Sequence, residues 1–292
     1  MPNSLLTPEN IAKLGATMVG ADMNLGALVS RDLESEFHAG TGTSVKVRVP
    51  GAIAAQTKPV SDSTTPLVGG SIEEQFVLVK LTDHVYDSAI LSEGDLDLEV
   101  TNFGVQVLMP QARAIQNYVE RAVAATMSAT PVTTGITYSK ATPAKAFTQL
   151  RKQLRDNGVG TDTPLLAAVG SSVYGDLLDG PVGTFDESGT VRGFKVVEST
   201  RLAPNEIVGF VRNAFALVVR APAVPDGAPY GASVKADNFA LRHIRAYDPT
   251  VAADRSLVSA FVGVQGMPLA VDKEDGTVDL VENGGAVRIL TS

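Results

Sequence analysis

"LEVTNFGVQVLMPQARAIQNYVERAVAA", residues 98–125, changes its period partway along, and that change decides the fold. Ahead of Thr101, Leu96, Leu98 and Val100 alternate with Asp95, Asp97 and Glu99, the pattern of a half-buried strand. Beyond Thr101, which is expected to cap a helix, Val105, Leu108, Ala112, Ile115, Val119, Ala122 and Thr126 recur at steps of three and four. That spacing draws one apolar stripe along a long amphipathic helix. Pro110 lies inside the stripe and lacks an N–H, so it must kink the helix or mark its true start.

Toward the N-terminus the alternation continues. "TSVKVRVPG" (43–51) sets Val45, Val47 and Val49 against Ser44, Lys46 and Arg48 and ends in Pro-Gly. "IEEQFVLVKLTDHVYDSAIL" (72–91) is extended in character as well. Between them Ala52 to Ser71 has no regular period, so residues 41–100 read as a long β-hairpin with an unpatterned tip. A compact domain rarely carries a loop of that length without a use for it. Residues 1–40 have helical spacing in pieces (Ile11, Leu14, Met18; then Leu25, Leu28, Val29, Leu33), broken by Gly15, Gly20 and Gly26. They form an arm whose apolar face needs a partner surface.

Toward the C-terminus, Pro143 opens a second helix, "PAKAFTQLRKQLRDNG", which Gly158 closes. "TPLLAAVG" (163–170) is a buried strand and "SSVYGDLLDG" (171–180) a short helix with a serine N-cap. Short β segments follow: "GFKVVEST", "EIVGFVRN" and "FALVVRAP". The last runs into a loop stiffened by Pro222, Pro225 and Pro229. "NFALRHIRAY" and "SLVSAFVGV" supply two late strands, and residues 268–292 a terminal hairpin turning at Asp275-Gly276.

A chain of 292 residues can bury a sizeable core. Aromatics make up only 5% and Trp is absent, so that core rests on Val, Ala and Leu, with ten Phe and six Tyr for bulk. A net charge of −8 argues against a nucleic-acid binder relying on a basic surface. The absence of cysteine excludes thiol catalysis, disulfides and Cys-ligated metal. The N-terminus lacks a signal-peptide pattern, and the longest uncharged run, Ala122 to Ser139, is half Thr, Ser, Gly and Pro rather than a membrane span. These features are expected of a soluble protein made in a cytoplasm.

Reactive groups do not converge. Each of the three histidines, His38, His84 and His243, could activate a serine, but no G-x-S-x-G elbow, H-E-x-x-H or glycine-rich phosphate loop is present. They read as surface or structural. Residues 71–100 hold eight acids against one lysine, with Asp95, Asp97 and Glu99 on one strand face. That face could hold a cation or an acid–base pair; a solvated face that discourages wrong strand pairing explains it as well. "DKEDGTVDLVENGG" lacks the EF-hand spacing. No catalytic, cofactor-binding or metal-ligating residue is assigned.

Four stretches carry a resemblance. "LEVTNFGVQVLMPQARAIQNYVERAVAA" resembles the end of the extended loop and the spine helix of tailed-phage major capsid (coat) proteins of the Hong Kong 97 fold. "AKAFTQLRKQLRDNGVGTDTPLLAAVGSSVYGDLLD" resembles their second helix, the strand after it and the short helix that follows. "VGFVRNAFALVVRAPAVPDG" and "ALRHIRAYDPTVAADRSLVSAFVGVQGM" resemble the apolar strand with its proline turn and the closing peripheral strands. The likeness is nearest to coat proteins of actinobacterial phages. It implies an α+β chain divided into an arm (1–40), an extended loop (41–100), a peripheral domain (101–165 and 236–268), an axial domain (166–235) and a terminal hairpin or tail (269–292).

The resemblance also implies a function without catalysis. Copies of the chain would assemble as pentamers and hexamers into an icosahedral shell around double-stranded DNA, without sequence-specific binding, in the bacterial host cytoplasm. Scaffolding and portal proteins would be separate chains, with no cofactor and no membrane. Inter-subunit contact would fall on Ile53, Val60, Leu67 and Val68 of the loop and on Leu25 and Leu28 of the arm. "FALVVR" would be a buried axial strand. Two other readings stand beside this one: an encapsulin-like compartment shell, and a carboxylate-dependent hydrolase using Asp95 or Asp97.

Overall fold

Strand alternation and helical stripes both become structure in the computed structural model, which describes residues 7–21, 23–37, 42–67, 69, 72–95, 103–181, 185, 189–228, 230–236, 239–273 and 275–291. Its contacts divide the mixed α+β chain into two units. The first comprises Met1–Thr43, Lys80–Thr126 and Ala216–Gln265; the second comprises Ser44–Val79, Met127–Phe215 and Gly266–Ser292.

In the first unit, helix α1 (Pro8–Ala21) precedes the sheet in sequence. The two-stranded element β1 (Ser44–Val49) and β2 (Gln75–Lys80), which belongs to the second unit, comes next in sequence, and β3 (Asp83–Ser92) and α2 (Met109–Ser128) return the chain to the first. The sheet has the order β3-β11-β10-β9, with β11 (Ala253–Gly266), β10 (Phe239–Asp248) and β9 (Tyr230–Ala236) antiparallel throughout. β8 (Phe215–Arg220) also pairs with β11. α1 packs on β9 and β10 through Ile11, Ala12, Ala16 and Val19, all buried. Gly15 makes the fit, since a Cβ there would come within 3.1 Å of the Leu241 side chain. The arm's apolar face therefore has its partner within its own chain.

The second unit is built on a five-stranded sheet, order β14-β7-β4-β6-β5. β4 (Leu165–Val169) runs parallel to β6 (Phe194–Glu198); β5 (Thr190–Val191), β7 (Glu206–Phe210) and β14 (Ala286–Leu290) are antiparallel to their neighbours. Helix α3 (Pro143–Asp156) buries Ala146, Phe147, Leu150 and Leu154, and Phe147 meets Phe194 edge-on at 5.9 Å. Pro143 is its first residue, and Gly158 beyond its end has φ +101°. Helix α4 (Ser171–Leu178) follows β4, and β12 (Leu269–Asp272) pairs with β13 (Val278–Val281).

Several expectations change. The long hairpin is shorter than the alternation implied: β1 pairs with β2, whereas β3 joins β11 over ten residues. Gly263 admits the switch, because a Cβ there would sit 2.1 Å from the Lys80 carbonyl oxygen where β2 ends. Asp95 belongs to a helical turn, not a strand; Leu96 to Thr101, including Asp97 and Glu99, lie outside the described residues. Pro110 marks the start of regular helix: Gly104–Leu108 is a wider π-type turn, closed by the Met109 N–H on the Gly104 carbonyl. The buried stripe also drifts, ending on Val123 and Met127 rather than Ala122 and Thr126, while Val105 stays exposed. The N-cap of α4 is Gly170, not a serine; a Cβ there would lie 2.0 Å from the Ala203 oxygen.

α3, grouped in sequence with α2, has its apolar stripe on the β14-β7-β4-β6-β5 sheet. "FALVVR", grouped with the segments before it, is a buried strand whose hydrogen bonds go to β11. The proline loop after it lies on its own sheet: Ser233 donates to the Pro222 carbonyl, and Arg242 Nη1 to that of Ala223 at 2.8 Å.

Candidate assembly surface

The β1–β2 loop, in the second unit, presents apolar side chains to solvent. In β2 alternation turns Val77 and Val79 inward and leaves Phe76 and Leu78 exposed. The lysine of β1 at Lys46 lies 6.0 Å from the Phe76 ring centroid, and Arg48 pairs loosely with Glu74 at 3.7 Å. Beyond Pro50, Ile53 is 51% exposed, Leu67 87%, and Val60 fully exposed; Ile72 joins them. Burying one such side chain is worth about 1.5–3 kcal/mol. Six exposed on one loop form a surface with a large gain to make on a partner.

The tip is not patternless. Asp62 accepts from the N–H and hydroxyl groups of both Thr64 and Thr65, and its own N–H donates to the Pro59 carbonyl at 3.0 Å. Lys58 Nζ closes the turn on the Thr65 carbonyl at 3.2 Å. The Thr65 hydroxyl first, then the Thr64 N–H and hydroxyl, hold the Asp62 carboxyl well below the usual carboxylate range. Val60 and Leu67 therefore flank a hydrogen-bonded turn.

The arm residues divide differently. Leu25 is 0% exposed, and its N–H donates to Glu120 of α2 at 2.9 Å; it sits in the core of its own chain and offers a neighbour nothing. Leu28 is half-buried. Val68 lies outside the described residues. Glu120, which sequence reading passed over, organises the arm: it also accepts the Asn24 and Gly26 N–H groups.

Of the chemistry candidates, Asp95 accepts the Ser92 N–H at 2.9 Å. Lys273 pairs with Asp279 at 2.6 Å, and Asp275 accepts from Thr277, so acids of the C-terminal stretch serve the hairpin. Among the described residues no three His, Asp or Glu side chains are grouped to hold a metal ion. No helix among them is long and apolar enough to cross a membrane. His38 lies outside the described residues, and exposed His84 stands edge-on to Phe261 at 4.9 Å. His243 does contact a serine, Nε2 to Ser256 Oγ at 3.1 Å, but both are buried and the Ser256 hydroxyl donates to Gln111 Oε1. Desolvation, then the nearby Arg245 charge, lowers the His243 pKa to about 4. Neither side chain is open to solvent.

No family model matches the chain, and no curated protein matches its sequence. Solved structures do. A chain of Mycobacterium phage Che8 superposes with TM-score 0.62 at 16% identity, over 92% of this chain and 91% of that one. A chain of the capsid of cyanophage P-SCSP1u gives 0.58 at 13% identity, over 86% and 84%. One from a virus-like particle of Pyrococcus furiosus gives 0.52 at 13% identity, over 96% and 98%. Further likenesses include the mature capsid of bacteriophage PhiM1. The chain has the fold of phage capsid proteins.

Proposed function

We propose that the chain is the major capsid protein of a tailed bacteriophage. Copies of it form pentamers and hexamers and close into an icosahedral shell around double-stranded DNA. The observation that carries the proposal is the coincidence of a capsid fold over nine-tenths of the chain with a loop whose large apolar side chains face solvent. A closed shell repeats heterologous contacts, one surface of a subunit against a different surface of the next. Ile53, Val60 and Leu67, with Val68, are proposed to bury themselves on the next subunit. Many modest contacts of this kind give a stable whole. The net charge of −8 suits a wall that must release its DNA.

The finer assignments belong to the same proposal: the arm, extended loop, peripheral and axial divisions; separate scaffolding and portal partners; assembly in the host cytoplasm and residence in the virion; and nearness to actinobacterial phages. The chain is proposed to have no turnover; a hydrolysis lost on Asp95→Asn would count against that. A compartment shell is the second reading, favoured by the likeness to the Pyrococcus furiosus particle. Sedimentation of the purified protein tests the shell proposal. Fast-sedimenting closed particles are expected, and a sharp monomer at high concentration would refute it. Nucleic acid inside particles recovered from infected cells separates the phage reading from the compartment one.

A further inference from the structure

The base of the extended loop is held by a turn some two hundred residues away in sequence. Gln75 Nε2, on one leg of the loop, donates to the Val278 carbonyl at 2.6 Å. On the other leg, the backbone at Ile53 and Ala54 lies so close to Gly276 that a Cβ there would stand 2.3 Å from the Ala54 nitrogen and 3.0 Å from the Ile53 carbonyl carbon. Gly276 has φ +80°, a conformation that favours glycine. The two legs also touch each other: a Cβ at Gly51 would meet the Glu73 oxygen at 2.4 Å. The turn itself is built to hold its shape. Asp275 Oδ1 accepts from the Thr277 N–H and hydroxyl, the Gly276 N–H donates to the Lys273 carbonyl, and the Lys273 N–H to that of Thr277. An open cleft of about 460 Å³ remains beside these contacts, lined by Gln56, Glu73, Glu74 and Thr277 among others.

We infer that the Asp275–Val278 turn of the C-terminal hairpin is a clamp that sets the direction of the extended loop, with Gly276 and Gln75 as its positioning residues. Beyond the turn's own hydrogen bonds, its contacts at Gln75, Ile53 and Ala54 link turn to loop and the Gly51–Glu73 contact links leg to leg, so their loss frees the loop and leaves the five-stranded sheet alone. A Cβ at Gly276 needs about 1 Å more room to reach ordinary contact with Ala54. Any displacement there grows along the roughly 25 Å of extended chain from Ala54 to the tip. The consequence for assembly rests on the shell proposal above; the clamp itself does not.

The absence of native cysteine makes the test clean. Nitroxides placed through Ser63→Cys in the tip and Ser172→Cys on α4, both exposed and in the same unit, report the loop's direction by pulsed dipolar spectroscopy. The measurement uses unassembled, spin-diluted full chains. The parent should give a single narrow distance. Gly276→Val should lose that peak, and so should Gly276→Asn, since asparagine accepts the positive φ but brings the same Cβ. Gln75→Leu deletes one hydrogen bond, keeps the fold by circular dichroism and should broaden the distribution less. Unchanged distributions in these variants overturn the clamp. Under conditions where the parent closes shells, a broadened variant should give malformed shells or none; normal shells from it overturn the clamp's role in assembly. A parent that closes no shells counts against the shell proposal only, and the distance measurement still decides the clamp.

Discussion

Replacing Glu120 with alanine should unfasten the N-terminal arm at a calculable cost. The side chain is 3% exposed and accepts three backbone donors: Asn24 at 2.9 Å and Gly26 at 3.0 Å on Oε1, Leu25 at 2.9 Å on Oε2. Each hydrogen bond to a charged acceptor contributes about 1.5–3 kcal/mol, but three bonds sharing one carboxylate do not add, and its desolvation offsets part of them. Alanine would leave the Leu25 and Gly26 donors buried without an acceptor, which puts the loss at roughly 3–5 kcal/mol. Glutamine keeps the acceptor on one side and turns an NH2 toward a backbone N–H on the other, a loss of roughly 2 kcal/mol. Against a typical total of about 5–15 kcal/mol, either change is large. Urea denaturation of unassembled subunits measures it, with amide exchange at Leu25 and Gly26 as the local readout. An alanine variant within about 1 kcal/mol of the parent, or amides there still protected, would refute the reasoning.

Other expectations follow from burial and exposure. The His243 pKa, lowered to about 4, lies below that of the unfolded chain, so as pH falls through the interval between them the unfolded state takes up the proton first. Stability should therefore be full above the unfolded value near 6.5 and decline by roughly 3 kcal/mol toward pH 4. His243→Leu should flatten that slope, and equal slopes in both proteins would contradict it. Leu25→Ala should cost the subunit about 2–5 kcal/mol, as a fully buried leucine does, whereas Val60→Ser should leave thermal stability within about 0.5 kcal/mol and lower the yield of shells. The reverse pattern in melting and light-scattering experiments would exchange their roles. Deleting residues 56–67, beyond the seat of Ala54 on the clamp, should leave the circular dichroism of a folded subunit and abolish regular shells. Unfolding, or normal shells, would defeat that expectation.

Local signals were legible where a residue's own chemistry decides its conformation. Pro143 and Gly158 bracket α3 because one lacks a donor and the other accepts φ +101°. Val85, Ala89 and Leu91 of β3 alternate because a strand has period two. Non-local partners were not legible. Nothing in "HVYDSAIL" tells that it pairs with β11 rather than continuing the β1–β2 hairpin; that choice rests on Gly263, far along the chain, admitting the Lys80 carbonyl. Leu25 and Val60 are equally apolar in sequence, and only Glu120, by drawing in the backbone around Leu25, separates a core residue from a surface one. The tip has no apolar period because its order comes from one aspartate and two threonines. Asp275-Gly276 was legible as a turn, but not that the turn holds the loop, since that contact joins Ala54 to Gly276 across most of the chain.

The most direct test of the account is a cryo-electron-microscopy reconstruction of particles assembled from the purified chain. Closed icosahedral shells are expected, in which Ile53, Val60 and Leu67 of each subunit are buried against a neighbouring copy. Monomers at high concentration, or shells in which that loop faces only solvent, would contradict it.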